Sequence, residues 1–270
     1  MKTRVITGAG IFIAACIVLL FSGVDWFLST VTACLCIMAV YELFRATKAA
    51  EKRVLYWCMV VIAAAFSYIR IPYYDIAAAV LLVAAAALFI YLMLNVEKRR
   101  SVNAAATALI ACFIICFYNA MSYIRSGKFG IYMLALAVFI CNVDDAAAYF
   151  VGRSCGKHKL APTVSPHKTV EGSIGGIVCS AALFLLLALV LDMAGVVSVH
   201  YVKLAVYLVL ASAAGQFGDL AMSSVKRISG IKDYGNLLPG HGGILDRFDS
   251  LLLVLPFTYL FCRMAGPIFF

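Results

Sequence analysis

Residues 223–249 concentrate charged side chains in a chain of which only 13% of the residues are charged. The segment reads S-S-V-K-R-I-S-G-I-K-D-Y-G-N-L-L-P-G-H-G-G-I-L-D-R-F-D. Its acidic, basic and histidine residues are Lys226, Arg227, Lys232, Asp233, His241, Asp246, Arg247 and Asp249. Five glycines and one proline exclude a single continuous helix. Dense charge on a flexible backbone between two long apolar segments is typical of an active-site loop at a membrane surface.

The helix that precedes this segment carries a polar face. Gln216, Asp219, Ser223 and Lys226 follow one another at spacings of three, four and three, which places them on one side of a helix. A carboxylate at membrane depth is costly, so Asp219 should face a polar cavity or a partner. The simplest structural alternative is an Asp219–Lys226 ion pair. Two further carboxylates across the loop favour a functional role.

Those carboxylates, Asp246 and Asp249, are three residues apart on the expected first turn of the last apolar segment. Helix capping would explain acids at that position, but it would not require Arg247 between them. Carboxylate oxygens from separate helices favour a hard cation such as Mg²⁺. Asp219, Asp246 and Asp249 are therefore the candidate metal ligands. His241 is a weak candidate ligand, and we favour a phosphate contact for it.

A second polar cluster ends another apolar segment. Asn142, Asp145 and Tyr149 share a helix face, so we expect Asp145 to point inward and Asp144 to matter less. The loop that follows carries cations that suit a polyphosphate or an anionic lipid head group, although a loop that only sets topology would also be basic. Its ordered glycines and prolines favour a shaped loop. The candidate substrate-binding residues are Asp145, Arg153, Lys157, Ser165, Lys168, Thr169 and Ser223.

The composition predicts the elements that must position these residues. The chain is 270 residues long and 65% hydrophobic, with a mean hydropathy of +1.02. Its apolar runs approach the roughly 20 residues that one bilayer-spanning helix needs. We therefore predict an all-α, polytopic integral membrane protein of about nine transmembrane helices. The expected spans are 5–22, 27–45, 54–70, 76–96, 104–123, 130–151, 172–194, 203–224 and 249–268.

The positive residues predict the orientation of these spans. With a cytoplasmic N-terminus, 17 of the 22 lysines and arginines lie on the inner side and 5 on the outer side. Both charged loops then face the cytoplasm, and the chain belongs in the cell's inner (plasma) membrane. The same asymmetry explains the net charge of +9 without a nucleic-acid partner.

The chain changes character near residue 130. Residues 1–129 form a region of five membrane helices with little chemistry, and residues 130–270 form the catalytic membrane region. Glu42 is the main polar feature of the first region, and we expect a surface acid that reaches to the interface rather than a head-group ligand. Nine of the ten cysteines lie within apolar segments and none forms a C-x-x-C pair, so cysteine metal sites are not indicated.

Residues 223–249 resemble the signature of the phosphatidate cytidylyltransferases, also called CDP-diacylglycerol synthases. The pattern is S-x-hydrophobic-K-R, four residues, K-D, and then P-x-H-G-G-hydrophobic-x-D-R-x-D. Q-x-G-D at 216–219 and the G-K-H-K-L-A-P…S-P-x-K-T-x-E-G loop are also similar to the family. The likeness is close over residues 140–250 and loose before them. One departure is Ala146, where the family usually has Thr or Ser.

The resemblance implies transfer of CMP from CTP to phosphatidic acid, giving CDP-diacylglycerol and pyrophosphate in a Mg²⁺-dependent reaction. Asp219 and Asp246 would bind the metal with support from Asp249. The sequence leaves open whether a monovalent cation joins Mg²⁺, and a homodimer is a family expectation. The phosphates would be held by Lys226, Arg227, Lys232 and Arg247, with Lys168 and Arg153 approaching from the other loop.

Two other classes of protein are compatible with parts of the pattern. A CTP-dependent lipid (polyprenol) kinase would move the γ-phosphate and release CDP. An ion-coupled transporter would use its intramembrane acids as a relay, but here the polar residues crowd one end of the second half. No G-x-x-x-x-G-K-[ST] or G-x-S-x-G motif occurs.

Overall fold

The structure, a computed structural model, describes residues 2–49, 53–69, 75–76, 79–81, 83–84, 86–87, 90, 99–238, 242–266 and 268–269. These residues form helices and one small two-stranded sheet. The helices are α1 (Lys2–Phe21), α2 (Asp25–Ala46), α3 (Arg53–Phe66), α4 (Arg99–Ser126), α5 (Gly130–Cys155), α6 (Val170–Met193), α7 (Tyr201–Ile228), α8 (Leu245–Phe248) and α9 (Leu251–Ala265). Strands β1 (Lys159–Ala161) and β2 (Ser165–Thr169) form an antiparallel hairpin between α5 and α6.

The protein is an all-α membrane protein, as the sequence predicts. Within the described part of the chain, α2, α5, α6, α7 and the Asn103–Ser126 portion of α4 are long and apolar enough to cross a bilayer. Each expected span coincides with helical structure, and the described residues of the 76–96 span are helical as well. The 76–96 span lies largely outside the described residues, so the number nine stays a prediction.

The chain forms two compact units. The first comprises Met1–Tyr123 and Ile228–Phe248, and the second comprises Ile124–Arg227 and Asp249–Phe270. The proposed division near residue 130 stays a prediction about function.

The core of the first unit contains small and branched side chains from α2 and α4. Ala39 and Val40 on α2 are fully buried, as are Ala108 and Ile114 on α4. Thr107 on α4 donates a hydrogen bond of 2.9 Å to Oγ1 of Thr47, just after α2, and dispersion contacts among the buried side chains add to this packing. The helix α8 belongs to this unit and packs against α2.

The second unit is built on close packing of α5 against α6. A methyl group added at Gly172 would lie 2.7 Å from the carbonyl oxygen of Ala148, and one at Gly176 would lie 3.0 Å from the Cβ of the same alanine. Glycine is therefore required where these helices cross. At the other end of the unit, the hydroxyl of Tyr207 is 2.8 Å from Oγ1 of Thr258, so this buried phenol is satisfied.

The loop between α5 and α6 has a defined shape, as its glycines and prolines predict. Thr169 ends β2 and caps α6, because its Oγ1 accepts a hydrogen bond of 3.1 Å from the Gly172 amide. The Glu171 carboxylate accepts from the amides of Lys157 and His158 at 3.0 and 3.2 Å. The hairpin is thus fixed at its base and presents β2 beside α7.

Residues 223–249 are not one helix, as expected. Helix α7 continues to Ile228, four residues beyond the expected span, and helical structure resumes at Leu245. Gly230 and Gly242 adopt φ values of +71° and +86°, which favour glycine.

The expected first turn of the last span is wrong in detail. Asp246 lies in the short helix α8, whereas Asp249 lies in the turn between α8 and α9. The Oδ1 of Asp249 accepts the Ser250 amide at 2.9 Å, and such a local side-chain bond competes with helical backbone bonding.

Candidate active site

Asp219 on α7 and Lys168 on β2 form an ion pair within the second unit. The Lys168 ammonium contacts Oδ2 of Asp219, and the Ser223 hydroxyl donates to Oδ1 at 3.2 Å. Burial lowers the pKa of Lys168, but the Asp219 carboxylate outweighs that effect and leaves the pKa above its ordinary value. Lys168 is therefore a fixed positive charge at neutral pH.

Asp249 adds a second carboxylate to this pair. Its carboxyl group lies beside that of Asp219, and its Oδ2 lies 3.8 Å from the Lys226 ammonium. Both Lys226 and Asp249 side chains are only 10% exposed. The backbone approaches closely here, because a methyl group at Gly218 would lie 2.8 Å from the Asp249 carbonyl oxygen. We call Lys168, Asp219, Lys226 and Asp249 the ionic centre.

The donor set of the ionic centre fits a hard divalent cation. Two adjacent carboxylates repel each other unless a proton or a cation lies between them. Among the described residues, no group of three or more His, Cys, Asp or Glu side chains is arranged to hold a metal. Mg²⁺ does not need such a cage, since it is usually bound by one or two carboxylates together with waters and substrate phosphates. Asp219 and Asp249 would hold it.

Asp246, the third candidate ligand, belongs to the first unit. Its Oδ2 accepts hydrogen bonds from the amides of Tyr234 at 2.8 Å and Gly243 at 2.9 Å. The side chain is buried, with 8% exposure, and closes the loop between these two residues. Its convergence with Asp219 on one cation stays a prediction.

A cavity of about 390 Å³ lies in the second unit among α5, the hairpin, α6 and α7. Pockets of this size hold small organic ligands. The candidate substrate-binding residues on its wall are Asp145, Arg153, Lys168 and Thr169. As far as the described residues go, its lining leaves out Lys157, Ser165 and Ser223. Arg153, Lys168 and the N-terminus of α6 all border the cavity. This arrangement suits an anionic group.

The expected orientations of the two adjacent aspartates are wrong. Asp144 is the inward side chain, with 3% exposure, and Asp145 is exposed on the cavity wall. The carboxylate of Asp144 accepts hydrogen bonds from the Ser212 hydroxyl and from Nε2 of Gln216, the latter at 2.9 Å. Gln216 Nε2 also donates to the carbonyl oxygen of Ser173 at 3.0 Å. Asp144 therefore joins α5 to α7, because a buried carboxylate needs donors and α7 supplies them.

The sequence-based prediction for Glu42 is also wrong. It is 3% exposed rather than a surface acid. Its two carboxylate oxygens accept the amides of Ile244 and Leu245 at 2.9 and 2.8 Å. Sequence reasoning missed this residue because its partners are 202 and 203 positions away in the chain. A lone acid in an apolar segment was the available signal, since such an acid needs a polar partner.

The remaining described candidates are not members of the ionic centre. Nε of Arg227 donates to the Val164 carbonyl oxygen in the hairpin turn at 3.1 Å, and Nη1 of Arg153 donates to the Tyr149 hydroxyl at 3.4 Å. Lys232, Asp233 and Arg247 are exposed in the first unit. His241 lies outside the described residues.

The fold and the ionic centre define a polytopic α-helical membrane protein in which two carboxylates are flanked by two ammonium groups. The sequence profile of the cytidylyltransferase family matches residues 2–265, and the chain belongs to this family.

Curated relatives are similar to the chain over part of its length. The phosphatidate cytidylyltransferase of Bacillus subtilis (strain 168) is 43% identical over 152 residues, which are 56% of this chain and 55% of the relative. That of Staphylococcus aureus (strain COL) is 45% identical over 136 residues, or 50% and 51% of the two chains. That of Staphylococcus saprophyticus is 44% identical over 127 residues, or 47% of each. The chain thus matches about half the length of these relatives.

Proposed function

We propose that this protein transfers CMP from CTP to phosphatidic acid, giving CDP-diacylglycerol and pyrophosphate. Family membership supports nucleotidyl transfer, and the relatives carry the name phosphatidate cytidylyltransferase. The observation that carries the proposal is the ionic centre, in which Lys168 and Lys226 flank the Asp219–Asp249 pair. Carboxylates for a cation and fixed positive charges for phosphates are the two requirements of this reaction.

The reaction needs no protein nucleophile. A phosphate oxygen of phosphatidic acid attacks the α-phosphorus of CTP, and the bond from that phosphorus to the β-phosphate oxygen breaks. The bonding electron pair leaves with pyrophosphate. Because the nucleophile is already an anion, no general base is required. The obstacle is repulsion between two anionic substrates, and positioned cations reduce it.

The residues of this chain would divide that work. Lys168 and Lys226, held by Asp219 and Asp249, offer their remaining ammonium donors to phosphate oxygens. Arg153 and the start of α6 face the cavity and suit a phosphate there. Mg²⁺ bound by Asp219 and Asp249 would neutralise phosphate charge in the transition state. The monovalent cation, the Asp246 ligand and a homodimer are further proposals.

The reaction site would face the cytoplasm from the plasma membrane. The balance of 17 inner against 5 outer lysines and arginines supports this orientation. CTP is a soluble, highly charged substrate, and phosphatidic acid is a membrane lipid. A site where a charged hairpin meets membrane helices can receive both.

Isotope position tests the proposed activity. Purified protein in detergent receives phosphatidic acid, Mg²⁺ and CTP labelled either at the α- or at the γ-phosphate. Nucleotidyl transfer places the α label in lipid and releases the γ label as pyrophosphate. The γ label in lipid, with CDP released, would instead show a kinase. If neither the α label nor the γ label enters lipid, the proposal is overturned and a transporter is favoured.

A further inference from the structure

Glu42 holds the backbone turn that carries Asp246. The first amides of a helix have no partner within that helix, and here the Glu42 carboxylate supplies one. Its Oε1 accepts the Ile244 amide at 2.9 Å and its Oε2 accepts the Leu245 amide at 2.8 Å. A charged acceptor makes each of these hydrogen bonds stronger than a neutral one would be.

The loop is also shaped to fit this carboxylate. A methyl group added at Gly235 would lie 2.6 Å from a Glu42 oxygen, and one added at Gly243 would lie 2.4 Å from the other oxygen. At such distances either the Glu42 carboxylate or the loop would have to shift. Two separate points of the loop therefore lie against the buried carboxylate, and glycine at both points permits this contact without a shift.

Asp246 continues the same arrangement. Its Oδ2 accepts the Gly243 amide at 2.9 Å and the Tyr234 amide at 2.8 Å. The three successive amides of residues 243, 244 and 245 are thus bound by Asp246 and Glu42. Loss of the Glu42 bonds would remove this support from the start of α8, the helix that carries Asp246 and Arg247.

We propose that Glu42 is a positioning residue for nucleotidyl transfer, which fixes the orientation of Asp246 and Arg247 through the first turn of α8. This inference rests on the proposed function. Glu42 acts through the turn and contacts no reacting atom. The loss of its carboxylate therefore impairs turnover and cation use more than CTP binding.

The test compares Glu42→Gln with Thr32→Val in the full-length protein. Glutamine keeps the size of the side chain but has one acceptor oxygen, so one of the two amides loses its bond. Thr32 is the matched control, since it is fully buried on the same helix and its hydroxyl donates within that helix to the Leu28 carbonyl oxygen at 2.9 Å. Both variants are measured beside the unaltered protein.

Hydrogen exchange of metal-free protein reads the turn directly. The peptide spanning residues 242–249 should exchange at least about tenfold faster in Glu42→Gln, because one charge-assisted hydrogen bond is lost. Thr32→Val should exchange at the original rate. Unchanged exchange in Glu42→Gln would overturn the inference.

Kinetics separate positioning from general destabilisation. In Glu42→Gln, kcat should fall by about tenfold or more and the Mg²⁺ concentration for half-maximal rate should rise, while KM for CTP stays within about twofold. A fall in kcat that only follows the folded fraction, with the Mg²⁺ midpoint unchanged, would overturn the inference. Absence of CMP transfer by the unaltered protein would instead be the failure of the proposed function.

Discussion

Lys168 of the β2 strand and Asp219 of helix α7 form an ion pair whose side chains are only 27% and 20% exposed. The hairpin that carries Lys168 is fixed by the Thr169 cap and by Glu171. The ammonium group is therefore positioned by this hairpin and not by a membrane-spanning helix. A preorganised charge of this kind needs little reorganisation during a reaction.

Lys168→Met should reduce CMP transfer by about 100-fold, because a positioned cation that neutralises phosphate charge is typically worth that much. Incorporation of α-labelled CTP into lipid measures the effect. Lys203→Met is the matched control, since the Lys203 ammonium donates to the Ala265 carbonyl oxygen at 2.8 Å at the other end of α7. Equal losses in both variants would contradict a specific role for Lys168.

Alanine at Asp219 or at Asp246 should abolish CTP-dependent turnover while the protein still folds in detergent. Both residues are proposed metal ligands, and Mg²⁺ is usually bound by only one or two protein carboxylates, so the loss of either one should be costly. Asp192→Ala serves as the control, because this acid pairs with the Tyr201 hydroxyl at 2.7 Å near the junction of α6 and α7. Near-normal activity of both site variants would refute the metal assignment.

Alanine substitutions at Asp144 and Asp145 should affect different properties. The first should lower stability and the second should lower activity. Asp144→Ala should lower the free energy of unfolding by about 1–3 kcal/mol, since it leaves the buried Ser212 hydroxyl without its acceptor. Asp145→Ala should leave stability nearly unchanged and reduce turnover, because this side chain lines the cavity. Thermal unfolding in detergent and the lipid-labelling assay measure the two effects. The reverse pattern would show that the inward aspartate is the functional one.

The sequence predicted the membrane helices because long apolar runs have few alternatives in a bilayer. It also predicted that Asp219 and Ser223 share a face, which the 3.2 Å hydrogen bond between them confirms. Helical spacing could not decide between Asp144 and Asp145. That choice depends on which face of α5 meets the donors of α7.

Glu42 shows a second limit of local sequence patterns. Its burial depends on amides more than 200 residues away, and an isolated acid near the end of a helix is commonly exposed. The glycines at 235 and 243 were visible in the sequence, but the carboxylate that lies against them was not. Contacts of high sequence separation have no local signature.

Gly172→Ala should destabilise the second unit by about 1–3 kcal/mol, as overpacking does in tightly packed interiors. The new methyl group would lie 2.7 Å from the Ala148 carbonyl oxygen and 2.8 Å from Oγ1 of Thr169. Gly10→Ala is the control, because no atom lies within 4 Å of its added methyl group and alanine favours a helix. The unfolding temperature should fall for Gly172→Ala, whereas for Gly10→Ala it should stay equal or rise.

Mg²⁺ should raise the unfolding temperature of the substrate-free protein, because a cation between Asp219 and Asp249 relieves the repulsion of two adjacent carboxylates. Binding to the folded state adds about 2.7 kcal/mol when the free ion is at 100 times its Kd. The increment, rather than the absolute unfolding temperature, is compared among variants, since Asp249→Asn changes the Lys226 contact as well. It should shrink in Asp249→Asn and persist in Asp192→Asn. In the same assay, the unfolding temperature in K⁺ is compared with that in Na⁺ at fixed Mg²⁺, which tests whether a monovalent cation also binds. An equal Mg²⁺ increment in Asp249→Asn and in the unaltered protein would show that the ion stabilises the fold elsewhere.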